Sequence, residues 1–184
     1  MVFAHDTEIA LIAAAALINT DGSAGELLGD VAALDAFFAE QGWTGRHERT
    51  DAELADVRAL RPRLRELWHA EEDRVVGIVN QLLRAAQALP QLVKHDGYAY
   101  HLHATPSDAP LADRMAVEAA MAFVDVVRSN ELSRLRVCAY PGCGDVFVDL
   151  SKNRSKRFCD NSCGNKAAVG AYRARKAAAG SGPP

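Results

Sequence analysis

Cys138-Ala-Tyr-Pro-Gly-Cys143 and, 15 residues later, Cys159-Asp-Asn-Ser-Cys163 are the segments on which the reading of this chain turns. They hold all four cysteines of a 184-residue chain within 26 residues. The longest apolar run, Ile9 to Ile18, is ten residues, where about 20 are needed to span a bilayer. Asp6 and Glu8 stand where a secretory leader would carry positive charge. A cytoplasmic protein is therefore expected, and there disulfides rarely persist. Clustered cysteines in that setting point to a metal.

Two close pairs joined by a short span make a tetrahedral site easy to close. Zinc accepts four thiolates in a closed structural site, so one structural Zn²⁺ per chain is expected on Cys138, Cys143, Cys159 and Cys163. An iron site of the rubredoxin kind is the lesser alternative. Pro141 and Gly142 favour a tight knuckle. Val146–Val148 reads as a strand, Ser151–Ser155 as a polar turn, and Lys156–Phe158 as a returning strand. Cys159 and Cys163 are about one helical turn apart, and Ala167–Ala179 is a strong helix former. Knuckle, hairpin and helix in that order predict a treble-clef finger over 131–179, with a flexible tail at 180–184.

Charge divides the chain at the same place. Residues 1–137 carry 13 Lys/Arg against 21 Asp/Glu, a net of −8; residues 138–184 carry 8 against 3, a net of +5. Four thiolates on Zn²⁺ leave about −2, which the nearby cations could simply neutralise. That does not account for the far end of the last helix. There Lys166, Arg173 and Lys176 fall within a sector of about 80°. With Arg154, Lys156 and Arg157 they form a phosphate-backbone footprint. Asn165 is the best placed side chain for a base or backbone hydrogen bond. RNA or a protein partner remains open on the same residues.

The acidic part, 1–130, reads as mostly helical with one small β-hairpin near 91–104, giving an α+β chain overall. Helices are expected over Thr7–Asn19, capped by Asp6 or Thr7; over Val31–Gln41, ended by Gly42; and from a Thr50-x-x-Glu53 capping box onward, broken or kinked at Pro62. Two more are expected over Arg74–Leu89 and Leu111–Asn130. Leu92–His95 and Tyr98–Ala104 flank Asp96-Gly97, a hairpin turn signal. His101 and His103 should share one face of a strand, as a surface pair more often than a second metal site. Trp43 and Trp68 are expected to pack the core. Asn19-Thr20 reads as a helix end, with a pocket-lining role the alternative. Glu71-Glu72-Asp73 reads as a solvated helix start. No nucleophile–base or phosphate-loop motif stands out, so no enzyme is expected.

Cys163-Gly-Asn-Lys166 resembles the signature of the CGNR zinc fingers of bacteria, as do Phe147–Arg154, Arg157-Phe-Cys159 and Tyr172-Arg-Ala-Arg175. Lys166 stands where that family has arginine; charge is kept and the planar fork is lost. Leu17-Ile18-Asn19-Thr20 resembles the Asn-Thr element of the ABATE domain that accompanies this finger. The resemblance implies a stress-linked transcription regulator. Its finger would bind DNA, and its N-terminal domain would sense a small-molecule effector or mediate assembly.

Overall fold

The computed structural model describes residues 2–94 and 100–180. Helix α1 (His5–Asn19) leads into a two-residue ladder, β1 (Asp21–Gly22) against β2 (Gly25–Glu26). Helices α2 (Val31–Glu40), α3 (Asp51–Leu67) and α4 (Glu72–Ala85) follow. A hairpin, β3 (Gln91–Val93) with β4 (His101–His103), precedes α5 (Leu111–Arg128). A short 3₁₀ turn, Leu132–Arg134, opens β5 (Leu135–Val137), which pairs antiparallel with β6 (Val146–Val148). The chain then runs to α6 (Asn161–Gly180). None of the described helices is long and apolar enough to cross a membrane.

Helices α1, α3, α4 and α5 bury one core around Phe123, Leu11, Ile18, Leu64 and Val75. The expected stripe of α5, Leu111, Met115, Ala119, Ala122, Phe123 and Val126, is buried throughout. Trp68 meets Phe123 edge-on, with centroids 5.2 Å apart. Trp43 is only half-buried. Helix α1 is less enclosed than its composition predicts, since Ile9 and Ile12 are exposed. Nor is it capped by Asp6 or Thr7: Ala4 stands at its N-cap. Instead the Glu8 carboxylate accepts from the N–H groups of Val2 and Phe3, and Thr7 spends its hydroxyl on Asp125 at 2.6 Å.

Helix α3 passes through Pro62 unbroken. Proline removes the donor that Arg58 O would receive, and Arg61 Nε occupies that carbonyl instead, at 3.3 Å. Thr50 Oγ1 caps α3 by accepting from Glu53 N–H. The reciprocal half of the capping box is replaced. The Glu53 carboxylate accepts from Glu48 and Arg49 N–H and lies 2.7 Å from His47 Nδ1. His47 Nε2 is 2.6 Å from Asp35 Oδ1, an ion-pair distance but off the line of a hydrogen bond. This buried junction, stacked on Phe38, ties α2 to α3. On the other side of α3, Arg61 grips Glu26 with both nitrogens, at 2.8 and 2.6 Å, and holds that carboxyl down to about 2.

The β3–β4 register puts Leu92 opposite Leu102, both exposed. His101 and His103 share a face as predicted, with Nε2 atoms 3.0 Å apart. His95 and the Asp96-Gly97 turn lie outside the described residues, as does the tail from 181 on. Gly42 ends α2 with φ +69°, and Glu71–Asp73 starts α4 in solvent, both as read from the sequence.

One small apolar cavity, lined by Ala13, Leu17, Phe37, Trp43, Met115 and Glu118, lies where α1, α2, α3 and α5 meet. Trp43 Nε1 has no partner among the described residues. Burial pushes the Glu118 carboxyl up to about 7, and Arg114 only partly offsets it. A carboxyl raised in the folded state is penalised when ionised. That cost is absent below its unfolded pKa, about 4.3, and complete above about 7. Glu118→Gln should therefore leave the melting temperature unchanged near pH 4 and raise it near pH 8. An equal melting temperature at the higher pH would show that the carboxylate is solvated.

Candidate metal centre

Two glycines in the left-handed region, Gly142 at φ +80° and Gly144 at φ +72°, turn the chain tightly around Cys143. Cys143 N–H donates to Tyr140 O, and Cys138 N–H to Asp145 O at 2.8 Å. The second pair is brought in by the following segment. Ala139 N–H donates to Arg157 O at 2.8 Å, so 156–158 runs alongside the knuckle. It is not the second strand that the sequence predicts. The partner of β6 is β5, upstream of Cys138, and the knuckle is the loop between them. The hairpin thus flanks the knuckle and does not follow it. Asp149 is the reason. It is fully buried, accepting from Ser151 and Lys156 N–H and from the Ser151 hydroxyl, and so curls 149–156 into a loop. Buried Arg134 locks the same loop through Asp149 O and Ser151 O.

Asp160 begins α6, its carboxylate accepting from Cys163 N–H at 2.8 Å. This seats Cys163 in the first turn, facing Cys143 at 3.6 Å between sulfurs. Cys159 lies 3.7 Å from Cys143 and 3.8 Å from Cys163. All four sulfurs fall within 4.8 Å of one another. A disulfide needs about 2.05 Å, so these are free thiols. Zinc–sulfur bonds of about 2.3 Å in a tetrahedron put sulfurs about 3.8 Å apart. The donor set and spacing fit one structural zinc ion.

The thiols carry the same message. Burial opposes ionisation of Cys138, but backbone N–H groups of Cys159 and Tyr140 outweigh it and lower its pKa. Burial, then the neighbouring sulfurs, push Cys159 far up, and burial, then Cys143, pushes Cys163 up to about 11. So many thiolates cannot crowd together without a cation. A divalent ion supplies that charge and displaces the protons.

The finger is joined to the helices through β6. Val146 and Val148 are buried in the helical core. The Asn19 amide accepts from Val146 N–H at 2.9 Å and donates to Val146 O at 2.8 Å. Trp68 Nε1 donates to Phe147 O at 3.1 Å. Arg65 reaches Ile18 O and Asp21 O, both at 2.8 Å. Thr20 is the helix cap expected, donating to Leu17 O. Asn19 is neither cap nor pocket lining, and spacing offered no hint of its role, because its partner lies 127 residues away.

The basic residues are exposed and divide into two groups. Arg154 pairs with Glu131 at 2.9 Å. Lys156 lies over Phe147, Arg157 over Phe158 and Lys166 over Tyr140. Lys156, Arg157, Asn161 and Asn165 line a shallow cleft beside the start of α6. Arg173 and Lys176 stand further along α6, well away from the sulfurs.

A helical domain with a four-cysteine finger welded to it defines a two-part class of protein. The family model of the CGNR zinc finger matches residues 134–176. The ABATE model, described as "Putative stress-induced transcription regulator", matches residues 12–130. The chain belongs to the ABATE family and carries a CGNR zinc finger. No curated protein matches its sequence.

Cys159→Ser should reduce bound zinc from one ion per chain to none by metal analysis. Because Val146 and Val148 sit in the helical core, the variant should also melt earlier. Retention of one zinc would overturn the ligand assignment.

Proposed function

We propose that this chain is a cytoplasmic, zinc-dependent transcription regulator that binds DNA through α6, and is not an enzyme. One observation carries the reading: α6 leaves the body of the protein. Beyond Ala167 every described side chain of this helix is exposed. Asn165, Lys166, Val169, Tyr172, Arg173 and Lys176 fall within a sector of about 120°. The rest of the surface after Cys163 is alanine and glycine apart from Arg175. A helix with bulk and charge on one side and almost nothing on the other suits a groove. The DNA major groove, about 12 Å wide, admits an α-helix.

In this reading Lys166, Arg173 and Lys176 contact phosphates along the groove wall. Lys156 and Arg157 hold the backbone beside the helix start. Asn165 and Val169 face base edges, the amide toward an adenine and the valine toward a thymine methyl. Arg154, already paired with Glu131, contributes least. Zinc contributes folding energy and fixes the base of α6 against the knuckle. The ABATE description as a transcription regulator supports the same reading. The N-terminal domain would take a small effector or mediate assembly.

Affinity for a random duplex pool should fall linearly with salt on a double-logarithmic plot. Lys176→Ala or Arg173→Ala should each lower the slope by about 1. Binding indifferent to salt, or confined to RNA or to a protein, would replace this reading.

A further inference from the structure

The N-terminal domain reaches the sulfurs from outside the knuckle and its helix. Ser23 lies in the turn between β1 and β2, and its Oγ is 3.8 Å from Cys143 Sγ. The Ser23 N–H donates to Asp145 Oδ1 at 3.3 Å. The other Asp145 oxygen is 3.8 Å from Cys159 Sγ. One turn of the N-terminal domain therefore touches one ligand directly and a second through a single carboxylate.

The approach is close. A Cβ on Gly22 would lie 2.5 Å from Asp145 Oδ1 and 2.8 Å from Asn19 O, so glycine is needed for the turn to reach the finger. Arg65 holds the turn from behind, donating to Asp21 O at 2.8 Å and to Gly144 O at 3.4 Å. Exposure of Ser23 means that its side chain is not there to fill the core.

A hydroxyl donating to a thiolate stabilises the charge that binding a cation requires. Through its N–H the same residue holds the Asp145 carboxylate in place beside Cys159. Lifting the turn would remove the hydroxyl from Cys143 and release Asp145 at once.

We propose that the β1–β2 turn is an outer-shell element of the metal centre, through which the helical domain sets how tightly the finger holds zinc. Ser23 favours the bound ion, as a positioning residue. Linkage makes the effect reciprocal: zinc must hold the turn in place by the same factor. Any event in the helical domain that moves β1–β2 is then felt at the finger as a change in metal retention.

The test uses the full zinc-loaded chain and the rate of zinc transfer to an excess of a colorimetric chelator. Ser23→Ala should transfer zinc about tenfold faster, the lower end of the usual outer-shell effect. Ser23→Thr, which keeps the hydroxyl, should behave as the unaltered chain. Circular dichroism of the loaded variants should be unchanged. Equal rates for Ser23→Ala and the unaltered chain would overturn the proposal. So would a Ser23→Thr variant as fast as Ser23→Ala.

Discussion

The amide of Asn19 takes both backbone polar groups of Val146, and the union of the two halves depends on it. Among the described residues β6 pairs with one strand, β5. Its remaining polar groups turn toward a hydrophobic core, where each unpaired one would cost about 1–3 kcal/mol. The Asn19 amide satisfies both such groups of Val146, and the Trp68 indole adds a bond to Phe147 O. With that done, Val146 and Val148 can enter the core of α1, α3, α4 and α5. The knuckle then projects from the far end of the same hairpin. The finger is thus the tip of a structure rooted in the helices, not a bead on a linker.

Much of this was legible in the sequence, and the exceptions have a common cause. Four cysteines in 26 residues announce their chemistry locally, because each pair needs only one turn to converge. The stripe of α5 and the Thr50 cap are equally local. Pro62 misled because the rule for proline concerns its own missing donor, and here a neighbouring arginine supplies a substitute. The second strand of the finger was misplaced because 156–158 and 135–137 are both short, and β pairing is a choice between distant partners. The buried Asp149 decides it, and nothing near Asp149 in the sequence says that it is buried. Asn19, Ser23 and Asp145 were out of reach for the same reason. Each acts across more than 100 residues of chain.

Charge follows a similar division of labour. Among the described residues, the acidic excess of residues 1–137 and the basic excess of 138–184 meet through Glu131 and Arg154 and not in a broad ionic interface. The hydrogen bonds between the helical domain and the finger hairpin largely join backbone groups to amide, indole and guanidinium side chains. The basic surface is left largely unspent, with Arg154 the clearest exception. Cations that are not used to hold the fold together are available to an outside polyanion.

The last helix has a consequence of another kind. Its base is fixed by Asp160 and Cys163, while the side chains from 168 to 176 are exposed. Substitutions there alter no core contact, so they should cost little in stability. The residues that would choose a binding partner are therefore free to vary without jeopardising the fold. In descendants of such a chain, preference could drift rapidly along one face of α6 while the sulfurs, Asn19 and the helical core stay the same.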